Sequence, residues 1–301
     1  MIGPVSSANW TTQARGALVT VCVPVYNGER YLARCLDSVL SQDFTNFTLL
    51  IADNASSDGT RDIAESYSAK DGRVRYCRHA GNIGLYGNLN FLLAAATTRY
   101  VKLANADDYW APQMIGAAVA ILEQDPTVVL CYPMMVMVDE FDRETARYDY
   151  RLHLTDEDRF TRFVGALQGL RLVNQLTGVM RLDVVQHLLP MMELVSSDGM
   201  FVAELSLYGK IFQLPEYHYY RRFHERSSSF DRKSRQHELR YVYAAGVTTI
   251  RYENWRRHLG LAGRVLLGAL PWRTRTASLG FLARRMFWDR AALLKELPIG
   301  S

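Results

Sequence analysis

Residues 18–25, LVTVCVPV, form an almost unbroken apolar, β-branched run. A strand that is apolar at successive positions has to be covered on both faces, which is the situation inside a parallel sheet flanked by helices. The next segments of the chain keep that rule. Residues 28–41 place Tyr31, Leu32, Cys35, Leu36, Val39 and Leu40 at helical spacing. FTLLIAD (47–53) reads as a second strand, and Ser57 or Asp58 caps a helix running through Lys70. RVRYCRH (73–79) is a third strand. A loop rich in Gly and Asn (81–88) leads into the helix NLNFLLAAAT, and RYVKLANA (99–106) is a fourth strand. Pro112 opens a helix to Gln124, and TVVLCYPMMVMV (127–138) is a long strand. This alternation predicts an α/β fold: a doubly wound, mostly parallel sheet with flanking helices. In such sheets ligands bind beyond the C-terminal ends of the strands.

Beyond residue 140 the pattern is less regular. FDRETARYDYRLHLTDEDRF reads as a polar loop over the sheet, and GVMRLDVVQHLL (178–189) as a strand end entering a helix. DGMFVAELSLYG (198–209) is helical, and KIFQLPEYHYYRR (210–222) reads as two short strands around Pro215. From about residue 236 the chain reads as helical, with breaks at Pro271 and Gly280.

Hydrophobic residues make up 49% and charged residues 22% of the 301 residues, so a packed globular core is expected rather than disorder. Cys22, Cys35, Cys77 and Cys131 contain no C-x-x-C pair, which argues against a zinc site or a redox motif, and Cys22 and Cys131, in apolar runs, read as buried thiols in a reducing compartment. The opening MIGPVSSANW has neither a basic region nor an apolar core, and no run of ~18 apolar residues occurs, so neither a signal peptide nor a membrane span is expected. The expected location is therefore cytoplasmic. The net charge of +4 is uneven: residues 231–301 carry 14 basic and 5 acidic side chains. That marks the tail as an interaction surface.

The unusual polar residues fall where the topology puts a ligand. The first strand ends in Pro24-Val25-Tyr26-Asn27-Gly28-Glu29 and the second in Asp53-Asn54-Ala55-Ser56-Ser57-Asp58. The segment after the third strand supplies Gly81, Asn82 and Gly84, and the fourth strand ends in Asn105-Ala106-Asp107-Asp108. Adjacent carboxylates repel unless a cation lies between them, and a hard divalent ion shared with substrate phosphates suits Asp107 and Asp108. A turn capping the helix at Pro112 accounts for them equally. Asp53 fits either a ribose or base contact or an Asx-turn. No G-x-G-x-x-G and no G-x-x-x-x-G-K-[ST] is present, which counts against a dehydrogenase and a P-loop enzyme. A diphosphate bound here needs a metal to neutralise it.

Taken together, VPVYNGERYLARCLDSVLSQ, IADNASSDGT, GNIGLYGNLN and LANADDYWAP, in this order, resemble the family-2 glycosyltransferases of GT-A fold, over roughly residues 18–230. The resemblance implies inverting transfer of a sugar from a nucleotide-diphosphate donor, a UDP-sugar by default, to a saccharide or lipid-linked acceptor, as in bacterial surface polysaccharide assembly. It implies that Pro24, Tyr26 and Glu29 line the base pocket, that Asp53 hydrogen-bonds the base, and that Asn27, Asn82, Gly84 and Ala106 complete the nucleotide site. It also implies that Asp107 is the second acid of a D-x-D motif holding Mn²⁺ or Mg²⁺ against the diphosphate, with Asp108 sharing that role. Asn105 stands where the family has the first acid, so the ribose contact there carries no charge.

In SSDGMFVAELSLYGKIFQLPE the resemblance makes Asp198 the general base, with a helix N-cap as the structural alternative. In YYRRFHERSSS it places His224 as a metal ligand and Arg221 and Arg222 on phosphate oxygens, with a solvated basic turn as the alternative. The expected organisation is an N-terminal extension (1–17), a GT-A domain (18–230) with a nucleotide-binding half (18–140) and an acceptor half (141–230), and a basic, mainly helical extension (231–301). Trp255, Leu266, Leu267, Trp272, Phe281, Phe287 and Trp288 alternate with arginines in that extension. Such helices either lie peripherally on an anionic membrane or pack on the domain. No nucleic-acid motif accompanies the charge. A non-catalytic nucleotide-sugar-binding relative and a sugar nucleotidyltransferase are the competing readings. The latter lacks the glycine-rich basic loop it needs after the first strand.

Overall fold

The computed structural model describes residues 16–148, 151–224, 239, 242–243 and 250–297. The expected N-terminal extension lies outside them up to residue 15, as does most of the helical expectation between 236 and 249.

The N-terminal part alternates as expected: β1 (Val19–Val25), α1 (Leu32–Leu40), β2 (Phe47–Asp53), α2 (Thr60–Lys70), β3 (Val74–Arg78), α3 (Gly84–Ala95), β4 (Tyr100–Leu103), β5 (Tyr109–Trp110), α4 (Met114–Gln124) and β6 (Val128–Val138). Next come β7 (Glu144–Tyr148), α5 (Arg159–Gly169), β8 (Val179–Arg181), α6 (Leu182–His187), α7 (Ser197–Tyr208) and β9 (Lys210–Arg222). The C-terminal helices are α8 (Glu253–Leu267), α9 (Trp272–Trp288) and α10 (Arg290–Lys295).

The strands make one sheet in the order β3-β2-β1-β4-β8-β6-β9-β5, with β7 on β6. β3, β2, β1 and β4 are mutually parallel, whereas β8 runs antiparallel to both β4 and β6. Chain order reverses between β1 and β4, which opens the crevice where a doubly wound sheet binds its ligand. The burial of β1 obeys the period of two: Val19, Val21, Val23 and Val25 join one core cluster with α1 and α4. Cys22 points the other way, into a second cluster with Leu92 and Leu93 of α3, Val185 of α6 and Val202 and Leu205 of α7. Cys22, Cys35 and Cys131 are buried free thiols, each with its pKa raised by burial.

Helix α7 is buried around its whole circumference, every residue from Met200 to Leu207 included, with Glu204 paired to Arg264. A helix of that kind needs cover on all sides. The sheet supplies one side. A third cluster, in which Met200, Ala203 and Leu207 meet Phe163 of α5, Leu261 and Val265 of α8 and Leu282 of α9, supplies the other. Helices α8 and α9 therefore share a core with α5 and α7.

Three local expectations change. The stretch after residue 140 folds back as β7 on β6, with Tyr148 opposite Met135, instead of remaining a loop. Residues 210–222 form one strand: Pro215 falls where the β6–β9 register shifts between Tyr132 and Met134, a place that needs no ladder donor. Gly280 lies inside α9 on its exposed side, because Phe281 and Leu282 anchor the helix against the core and outweigh a propensity cost of ~1 kcal/mol.

Lys102, in the middle of β4, is fully buried. Its Nζ donates to the Thr177 carbonyl at 2.5 Å and lies 4.0 Å from the Trp110 ring centre. Burial lowers its pKa to about 7. The charged form is thus disfavoured in the folded state, and the cost is fully present below pH 7 and fades as pH rises towards the unfolded value of 10.5. Lys102→Met should be more stable relative to wild type at pH 6 than at pH 9.5, the difference shrinking by about 3 kcal/mol across that range in urea melts.

Candidate active site

The loops after β1 and β2 are stitched together by hydrogen bonds. The Asn27 amide N–H donates to Ser56 Oγ (2.9 Å), and Asn27 Oδ1 accepts from the Ser57 amide (2.9 Å). The Gly28 amide donates to Thr60 Oγ1 (2.8 Å), and the Glu29 amide to Asp58 Oδ2 (3.1 Å). Glu29 Oε2 accepts from the Gly59 amide (3.1 Å). Asn27 adopts the left-handed conformation at φ 51°. A Cβ at Gly28 would lie 2.6 Å from Val25 Cγ2, so only glycine fits there without displacing the core. The side chains of Asn27 and Glu29 thus shape the rim by holding the neighbouring loop. Tyr26, 51% exposed, stands out from it, and Pro24 is half-buried within β1.

Asp53 is completely buried at the end of β2. Its Oδ1 accepts from the Ser56 amide (2.8 Å), closing an Asx-turn, and its Oδ2 accepts from Tyr76 Oη (2.9 Å) and lies 3.3 Å from Arg78 Nε. Tyr76 and Arg78, both on β3, went unrecognised in the sequence because nothing local ties them to Asp53. The same holds for Asn54, whose amide donates to Asn82 Oδ1 (2.9 Å) and accepts from the Ile83 N–H (2.8 Å). Asn82 Oδ1 also accepts from the amide of Gly84, which has φ 79°. Asn82 and Gly84 therefore build the entry to α3. Beneath them, His79 Nε2 pairs with Asn88 Oδ1 at 3.0 Å.

The two adjacent carboxylates at the end of β4 face different environments. Asp108 is 2% exposed and accepts from Asn105 Nδ2 (2.9 Å), Tyr219 Oη (2.5 Å) and the Arg222 amide (2.8 Å). Burial, reinforced by the neighbouring Asp107 charge, raises its pKa above the usual carboxylate range. A carboxylate enclosed by three donors is a structural tie, so the expectation that Asp108 binds metal gives way to one in which it positions the loop. Asn105, in the place of an acid, supplies one of those donors. Asp107 keeps a side chain 30% exposed, and its Oδ2 lies 3.2 Å from His224 Nε2. Ala106, between them, packs on the core.

Residues Arg221 and Arg222 part company because successive side chains of β9 point to opposite faces. Arg222 is 3% exposed; it donates to the Asp107 and Asp139 carbonyls, each at 3.0 Å, pairs with Asp142, and lies over the Tyr31 ring at 4.4 Å. Its guanidinium is occupied in holding three loops, which replaces the expected phosphate contact. Arg221 instead lines a cavity of about 600 Å³ that Asp198 also lines. Asp198 sits in the first turn of α7, after Ser196 in the left-handed conformation at φ 65°, and is not itself the cap. Its amide donates to Tyr86 Oη (3.2 Å), and its Oδ1 accepts from the Gly199 amide (2.8 Å).

Among the described residues, no three His, Cys, Asp or Glu side chains form a group that could hold a metal ion. The pair Asp107 and His224 nevertheless offers one carboxylate and one imidazole at mutual contact distance. That donor set fits Mn²⁺ with its remaining positions filled by phosphate oxygens and water, whereas Mg²⁺ would use the carboxylate alone.

Comparison with known proteins gives the family and the fold. EpsE of Bacillus subtilis strain 168, named as a glycosyltransferase, is 35% identical over 133 residues, which are 44% of this chain and 48% of EpsE. The chain thus spans about half the length of that relative. TarS of S. aureus, solved as residues 1–349 with UDP-GlcNAc, superposes with TM-score 0.63 at 20% identity, covering 90% of this chain and 73% of that one. The mannosyltransferase PcManGT of Pyrobaculum calidifontis, solved with GDP-Man and Mn²⁺, gives TM-score 0.51 at 17% identity over 91% of this chain and 75% of that one. The sheet with its flanking helices is the GT-A fold. Residues 20–181 match the profile of glycosyl transferase family 2, and the chain belongs to that family.

Proposed function

We propose that this protein transfers a sugar, with inversion, from a nucleotide-diphosphate donor to a saccharide or lipid-linked acceptor in surface polysaccharide assembly. The observation that carries the reading is the division of labour at the β4 end: Asp108 is enclosed and Asp107 is left facing His224 at the rim of the crevice. UDP-sugars are the first donors to test, since TarS, which shares the fold, was solved with UDP-GlcNAc.

A divalent cation held by Asp107 and His224 would supply positive charge to the departing diphosphate. The remaining chemistry falls to the chain. The loops after β1 and β2, with Tyr26 exposed on them and the buried Asp53 holding the second loop in place, form the wall for the base and ribose. Arg221 reaches the adjoining cavity from β9. The Asp198 carboxylate, lining that cavity, takes the proton of the acceptor hydroxyl as its oxygen forms the new bond to the anomeric carbon and the diphosphate leaves with the old bonding pair. Holding acceptor and donor in line removes much of the entropic barrier.

The helices α8 and α9 support a peripheral membrane role. None of the described helices is long and apolar enough to cross a membrane. On the side away from the core, Leu259, Leu266, Leu267 (86% exposed), Trp272, Phe287 and Trp288 are exposed, with Arg256, Arg273 and Arg284 among them. Apolar and basic side chains on one exposed face suit an anionic bilayer surface.

A thermal-shift panel of nucleoside diphosphates with Mn²⁺, Mg²⁺ or EDTA should show metal-dependent stabilisation by one nucleotide class, absent in Asp107→Ala. Asp108→Ala should instead lower the stability of the free protein, by about 2 kcal/mol or more, because three donors lose their acceptor. Absence of any nucleotide response in wild type would turn the assignment to a non-catalytic relative. Asp198→Asn should retain nucleotide binding while sugar transfer falls by about 10²–10⁴-fold. In co-sedimentation with phosphatidylglycerol vesicles, Leu267→Glu/Trp272→Glu should lose binding that phosphatidylcholine vesicles never support; equal binding to both lipids would refute the electrostatic part.

A further inference from the structure

The cavity beside Asp198 is lined by four guanidinium groups from four different parts of the chain: Arg171 after α5, Arg221 on β9, Arg257 on α8 and Arg285 on α9. Two carboxylates line it as well, Asp198 and Asp289, and Asp289 accepts from His258 Nε2 at 3.0 Å. Arg257 donates to the neutral Asn254 Oδ1 (2.5 Å) and Arg285 to the Leu167 carbonyl (3.1 Å). Leu170, Leu261 and Leu282 form apolar walls between these charges.

Resting on the transferase reading, we infer that this cavity binds an acceptor carrying an anionic group, a phosphate or a carboxylate, beside the hydroxyl that Asp198 deprotonates. Four guanidinium groups against two carboxylates, one of them paired with His258, leave the cavity net positive, which favours an added anion, and apolar walls strengthen that attraction. The planar fork of arginine matches the oxygens of phosphate or carboxylate in a way that a neutral sugar does not. The donor diphosphate is served at the Asp107 end, so it does not account for arginines on α8 and α9. Both helices lie beyond residue 181, where the family match ends. On this inference, acceptor selection lies beyond the segment matched by the family profile.

The test is calorimetric titration of the full chain, saturated with UDP and Mn²⁺, with glucose 1-phosphate, glucuronate and glucose. At least one of the two anions should bind about tenfold or more tightly than glucose, and should weaken as salt is raised. Preference for glucose 1-phosphate identifies a phosphate-bearing acceptor, and preference for glucuronate an acidic sugar. Arg257→Gln and Arg285→Gln should each lower that affinity several-fold, and Arg257→Lys should recover part of it, while the thermal response to UDP and Mn²⁺ stays at the wild-type value. Arg257→Gln is the safer variant, since the side-chain partner of Arg257 lies on its own helix. Equal binding of all three sugars, or anion binding unchanged in both Gln variants, would overturn the inference. A wild type without any UDP response, titrated without nucleotide, separates the two ideas: variant-sensitive anion binding there sinks the donor assignment and keeps the anion site, and its absence sinks both.

Discussion

The enclosed carboxylate of Asp108 is the contact on which the arrangement of the site depends. It lies at the end of β4 and draws the Asn105 side chain, the Tyr219 hydroxyl and the Arg222 amide onto one pair of oxygens. Tyr219 and Arg222 belong to β9, separated from β4 in the sheet by β8 and β6, so this one group fixes the distance between the end of β4 and the strand that carries Arg221. Arg222 repeats the device from the other side by donating to the Asp107 carbonyl. With both anchors in place, Asp107 and His224 are held facing each other without either being buried.

That division was only partly legible in the sequence. The apolar run of β1, the alternation after it and the polar strand ends all arise from short-range periodicity, and the structure matches them element by element through β3. Which of two adjacent carboxylates is enclosed and which stays at the surface is a different kind of question. The answer depends on whether a donor more than a hundred residues away reaches one or the other, and Asp108 is chosen by Tyr219 and Arg222. The arginine pair failed to be read for the same reason. Alternation along a strand separates neighbours with certainty, but the side each takes is set by the register between β6 and β9. Tyr76 and Arg78 around Asp53 were invisible on this account too: β3 meets β2 only through the fold.

The departure at Asn105 gains a physical reason in this setting. An acid there would place a second negative charge against a buried carboxylate that already feels Asp107. An amide turns that repulsion into a hydrogen bond of 2.9 Å. The substitution is consistent with a site whose remaining exposed charge is concentrated on Asp107.

Helices α8 and α9 turn Arg257, Leu261, Leu282 and Arg285 inward while Leu259, Leu266, Leu267 and Phe287 face out. Only the thickness of a single helix layer, about 10–12 Å with side chains, lies between these two faces. The hairpin therefore works as a spacer of fixed height. In the proposed transfer, an acceptor hydroxyl at Asp198 would lie about one such layer from whatever surface the outer face rests on. On that reading the fold itself would measure the tether between an anchored acceptor and its first sugar.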